Sequence, residues 1–134
     1  MDKNIFYNLI KELPSLYCTG GINEKAIADA EKELSLDFAK DYYFYLKEFG
    51  QIEAEGIELT GISNKVTTSV VKVTKSLRDI SSVPSSMYVI EDLGIDDIYY
   101  LQDKEGTIYQ FKIGGKPIFY TQSLFDYIKK TQNQ

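Results

Sequence analysis

The chain has 134 residues, 43% hydrophobic and 26% charged, with a net charge of −5; this is the size and balance of one globular domain and favours neither disorder nor membrane insertion. It has no histidine and one cysteine, Cys18. Ser-His-Asp and Cys-His catalytic sets and His-rich zinc sites are therefore excluded, and an unpaired cysteine fits a reducing compartment.

No apolar run approaches the roughly 20 residues of a membrane-spanning helix. Met1-Asp2-Lys3-Asn4 leads into an amphipathic segment interrupted by Lys11 and Glu12 rather than into a secretory signal, so the expected location is the cytosol. Charge is unevenly distributed, with eleven acids against five bases over residues 41–103 and two against five over 104–134. Between Arg78 and Lys104 there is no lysine or arginine, while Asp79, Glu91, Asp92, Asp96, Asp97 and Asp103 fall in that interval. Such a surface repels nucleic acid and attracts basic proteins.

In chain order, Asp2 caps a first predicted helix with apolar positions Ile5, Phe6, Leu9, Ile10 and Leu13, stopped by Pro14. Thr19-Gly20-Gly21 is a turn. Asn23 caps a second helix carrying Ala26, Ile27, Ala30 and Leu34, which ends near Ser35. Asp37 is the expected cap of a third, in which Phe38, Tyr42, Tyr45, Leu46 and Phe49 share a face and Gly50 supplies the left-handed terminus. Tyr43 then points away from that stripe and is expected to be largely exposed. From Ile52 the period changes, and Ile57, Leu59 and Ile62 alternate in the manner of a half-buried strand.

Residues 64–80 are ambiguous: Val66, Val70, Val73 and Leu77 have helical spacing, their β-branched content suggests a strand, and the spacing favours a helix. Strands follow at Met87–Glu91, Ile98–Gln102, Ile108–Lys112 and Ile118–Tyr120, separated by turns short enough to make them antiparallel neighbours. Ser123, with Asp126 three residues later, opens a last helix with Leu124, Tyr127 and Ile128. No linker or repeat divides the series, and residues 1–134 read as a single α+β domain with an antiparallel meander and helices packed at both ends.

Adjacent Asp96 and Asp97, with Glu91 and Asp92 nearby, invite an acid–base or metal reading. Neighbouring strand residues point to opposite faces, however, and the regular ladder of a calcium loop is missing, so a solvated acidic loop is the better account. Cys18 lacks a basic neighbour to activate it, and Gly20-Gly21 and Gly114-Gly115 lie in no phosphate-binding pattern. No cofactor or metal is expected. Tyr42, Tyr45, Tyr99, Tyr100, Tyr109, Tyr120 and Tyr127 read mostly as core, whereas an exposed Tyr43 beside acids reads as an interface anchor.

The segment Leu34-Ser35-Leu36-Asp37-Phe38-Ala39-Lys40-Asp41-Tyr42, running through Leu46-Lys47-Glu48-Phe49-Gly50 to Ile57-Glu58-Leu59-Thr60-Gly61-Ile62, resembles the signature of the SUKH superfamily, named partly for a yeast cell-wall regulator. A second match runs from Val89-Ile90 through Ile95-Asp96-Asp97-Ile98-Tyr99-Tyr100-Leu101 to Gly106-Thr107-Ile108-Tyr109. Together the resemblance covers roughly residues 23–130 and is nearest to the YobK type of bacterial immunity protein. Ala39 stands where the family often has proline, and Gln51 where a second glycine is usual.

The resemblance implies a protein that binds without catalysing, either an immunity protein or a eukaryotic-type regulator. The leading expectation is an immunity protein whose acidic, tyrosine-bearing surface occludes the basic cleft of a cognate toxin, a nuclease domain. The residues expected to meet it are Tyr43, Glu53, Glu55, Glu58, Glu91, Asp92, Asp96, Asp97 and Asp103. A regulatory or scaffold module and a small enzyme working with carboxylates alone are the alternatives.

Overall fold

The computed structural model describes residues 1–133. It contains helices α1 (Lys3–Lys11), α2 (Glu24–Leu34), α3 (Lys40–Phe49), α4 (Val70–Ile80) and α5 (Leu124–Gln132). The strands are β1 (Tyr17–Cys18), β2 (Ile52–Ala54), β3 (Ile57–Glu58), β4 (Tyr88–Asp92), β5 (Ile98–Gln102), β6 (Ile108–Lys112) and β7 (Ile118–Thr121). They form two antiparallel sheets, β1-β2-β3 and β4-β5-β6-β7. The meander expected from sequence is the second of these, and the smaller sheet adds a two-residue strand, β1, that pairs Cys18 with Ile52.

The helix starts follow local chemistry. Asp2 accepts from the amides of Asn4 and Ile5, Asn23 from that of Ala26, Ser69 from that of Lys72 and Ser123 from that of Asp126, each satisfying a donor that the first turn leaves free. The helix favoured within 64–80 is present as α4, preceded by a 3₁₀ turn at Val66–Thr68; the side chain of Val66 lies outside the described residues. At α3 the expected cap is corrected. The helix begins after Ala39 with no side-chain cap, and the Phe38 amide instead donates to the Glu31 carboxylate at 2.8 Å. Helix α1 buries Phe6 and Ile10 of the expected apolar stripe and leaves Ile5 exposed.

The four-stranded sheet is covered on both faces. Tyr88, Ile90, Tyr100 and Ile108 join a core built with Phe6, Ile10, Tyr42, Tyr45, Leu46, Leu124, Tyr127 and Ile128, while Val89, Leu101 and Phe111 pack with Leu77 of α4 on the other side. Tyr42, Tyr45 and Phe49 are buried as the helical stripe requires. Tyr43 is not largely exposed. It is half-buried and packs on the core, because α3 lies against both α2 and α5 and has little free flank.

Among the described residues, buried side-chain polar atoms are partnered except for Thr19 Oγ1 and Arg78 Nε. Tyr42 and Tyr45 both reach Thr60, through its hydroxyl at 2.9 Å and its carbonyl at 2.8 Å. Asp41 accepts from the Gln102 amide at 3.0 Å and from the Leu124 backbone at 2.9 Å, which fixes the start of α5 against α3. Burial raises the Asp41 pKa, and those bonds oppose the rise without cancelling it.

Among the described residues no helix is long and apolar enough to cross a membrane.

Candidate functional site

Four of the acidic residues, Glu53, Glu58, Glu91 and Asp92, converge where the two sheets meet. Along β4 the register slips between Val89 and Glu91: Val89 lies opposite Leu101, and Glu91 lies opposite Tyr100. This bulge reverses the alternation and turns Glu91 inward, toward the face on which the tilted rings of Tyr100 and Tyr127 pack with centres 5.1 Å apart. Its carboxylate accepts from the Glu58 backbone amide at 2.7 Å and from the Tyr127 hydroxyl. Burial raises the Glu91 pKa, with the two donors opposing, and the Tyr127 hydroxyl is raised in turn by its own burial and by the neighbouring carboxylate. Glu91, expected at the partner surface, is therefore 6% exposed and acts as a clamp between β3, β4 and α5.

Above this clamp opens a cavity of about 550 Å³, walled by Glu53, Glu58, Asp92, Thr67, Thr68 and Gly94. Glu53 and Glu58 face each other across the β2–β3 pair, an arrangement that like charges destabilise. Lys65 offsets it, with Nζ 3.3 Å from the Glu53 carboxylate and 5.2 Å from the centre of the Tyr17 ring. Glu58 and Asp92 have no ion-pair partner among the described residues. The structure thus brings Glu53, Glu58 and Asp92 together at one cleft, with Glu91 beneath them. Glu55 is exposed in the β2–β3 turn, where its backbone bonds to Pro14 and Gln132.

Asp96 and Asp97 lie in the β4–β5 turn, exposed, with left-handed φ values of 55° and 58°. Asp103 is at the other end of β5. Its carboxylate accepts from the amides of Glu105 and Thr107 and from the Tyr109 hydroxyl, so it builds its own hairpin turn and does not extend the acidic face. Nor is that face uniform, since the Asp97 carbonyl accepts from the Ile113 amide at 3.1 Å and the turn holding Lys112 and Lys116 therefore lies beside it. Sequence reasoning also missed Leu93 and Ile95, 40% and 61% exposed between the acids. They alternate with acids and Gly94 in Glu91-Asp92-Leu93-Gly94-Ile95-Asp96-Asp97, and the turn geometry places them in solvent.

Among the described residues no group of three or more carboxylates or cysteines is arranged to hold a metal ion. The site offers a recess lined by carboxylates and hydroxyls, suited to receiving cationic groups from another molecule.

An α+β domain with this two-sheet arrangement has a solved counterpart. A crystal structure of a protein from Pseudomonas syringae pv. tomato superposes with a TM-score of 0.73 over 94% of this chain and 95% of that one, at 14% identity, a likeness of fold. The sequence also matches, over residues 4–132, the family described as SUKH_5, SMI1-KNR4 cell-wall, and the chain belongs to that SUKH family. A search of curated proteins returns no match.

Proposed function

We propose that the protein is a cytosolic, non-catalytic immunity protein that binds a cognate toxin, a nuclease, and covers its substrate groove. Membership of the SUKH family supports a binding domain. The observation that carries the proposal is the carboxylate-walled cleft of Glu53, Glu58 and Asp92, continued by Asp96 and Asp97 on the adjoining turn. A nuclease holds phosphates in a positive groove. Carboxylates displayed on a rigid junction compete for that groove and steer the encounter, while Leu93 and Ile95 among them provide an apolar anchor at the centre of the contact.

The test is co-expression with the toxin encoded beside the gene, scored by growth, together with inhibition of the purified nuclease. Glu58→Lys/Asp92→Lys/Asp96→Lys should fold and lose protection, and raised salt should weaken the wild-type complex. A folded triple variant that protects as well as wild type would place the interface elsewhere.

A further inference from the structure

Beyond the toxin-facing role, and in competition with it for Leu93, Ile95, Asp96 and Asp97, we infer that the sheet end formed by the 93–97 and 113–117 turns is a self-association surface, where two copies meet about a two-fold axis with each acidic turn against the partner's basic turn. The two turns are neighbours at the same end of the four-stranded sheet. Ile98 pairs with Lys112, and the Ile113 amide donates to the Asp97 carbonyl, so β5 and β6 hold them side by side.

Their chemistry is opposite. The first turn displays Asp96 and Asp97 with Leu93 and Ile95; the second displays Lys112 and Lys116, followed at the start of β7 by Ile118, 66% exposed. Among the described residues no ion pair within 4.0 Å joins either aspartate to either lysine. Both charges consequently face solvent beside exposed apolar side chains. Left-handed backbone at Gly94, Asp96 and Asp97 fixes the first turn in this display.

A surface with one acidic and one basic half is complementary to itself after a half-turn. A two-fold axis between the halves matches acid to base twice and leaves no open end, so association stops at a dimer. Each pairing also covers Leu93 and Ile95 with the apolar residues around the other copy's basic turn. The patch is small, and a weak, salt-sensitive dimer follows.

Sedimentation velocity on the full chain, from about 10 µM to about 1 mM at low salt, should show a reversible monomer–dimer equilibrium that weakens as salt is added. Asp96→Lys/Asp97→Lys leaves both turns basic, and Lys112→Glu/Lys116→Glu leaves both acidic. Each should weaken self-association about tenfold or more, whereas an equimolar mixture of the two should form a heterodimer. Asp96→Asn/Asp97→Asn keeps side chains that tolerate the left-handed backbone while removing the charge, so a loss shared with the lysine variant is electrostatic and not a misfolded turn. A wild-type protein that stays monomeric throughout, or single-sided variants that associate like wild type, would overturn the inference. A dimer that strengthens with salt would also do so, pointing instead to apolar pairing at the β7 edge.

Discussion

Glu91 and Asp92 are consecutive acids with opposite fates. Glu91 is buried, shared between a backbone amide of β3 and a tyrosine of α5; Asp92 is exposed, and its carboxylate accepts from the Gly94 amide of its own turn at 2.9 Å. The sealed junction and the open turn set negative charge in two different environments. In the junction, carboxylates satisfy buried donors and lock layers together. In the turn they face solvent.

The junction is where substitution should cost most. Beside the clamp, Gly61 passes so near the preceding helix terminus that a Cβ would lie 2.2 Å from the Gly50 carbonyl oxygen and 2.7 Å from the Gln51 side chain. Backbone cannot retreat as a side-chain tip can. Gly61→Ala should therefore cost about 3 kcal/mol or more, read as a fall in the denaturant midpoint. A variant within 1 kcal/mol of wild type would show that the two segments have room to separate.

Glu91 comes next. Glu91→Ala strands the Glu58 amide and the Tyr127 hydroxyl and should cost about 2–4 kcal/mol, whereas Glu91→Gln keeps an acceptor and should cost less. The pair also carries a pH signature. Since burial raises the Glu91 pKa, the folded state holds more protons than the unfolded one from the usual glutamate value up to the raised one. Stability falls as pH rises through that window and recovers as pH drops back. Asp41 contributes in the same sense. Glu91→Gln cannot ionise, so its Tm should vary less with pH than that of the wild type, and an unchanged profile would assign the dependence to Asp41 alone.

The smallest effect on stability belongs to the open turn. Asp96→Asn/Asp97→Asn should shift stability by no more than about 0.5 kcal/mol in chemical denaturation. A much larger loss would erase the contrast, making the turn as structural as the junction behind it.

Much of the fold was legible because its signals are local. Strands β5 and β6 coincide with the apolar runs at 98–102 and 108–112, and Asp2, Asn23 and Ser123 cap the helices that follow them. Strand β1 was not, because a two-residue strand carries no pattern and exists only through a partner 34 residues on, at Ile52. The site was half legible for a related reason. Glu53, Glu58 and Asp92 are placed by strand alternation and short turns, but Glu91 is turned inward by a bulge whose extra residue leaves no mark on the sequence. Asp103 was misplaced because charge runs ignore strand length: β5 separates it from Asp97 by the whole height of the sheet.

Helix α5 bears on the order in which the fold closes. Helix α5 is tied to residue 41 through the Leu124 amide, to residue 55 through Gln132 and to residue 91 through Tyr127, and Leu124, Tyr127 and Ile128 are buried in the main core. These contacts close loops of 83, 77 and 36 residues, spans that slow folding because chain entropy is lost before the contact repays it. Until α5 docks, the core is open on one side and Glu91 lacks one of its two donors. The junction of the two sheets therefore hardens only when one helix, joined to it across most of the sequence, has found its place.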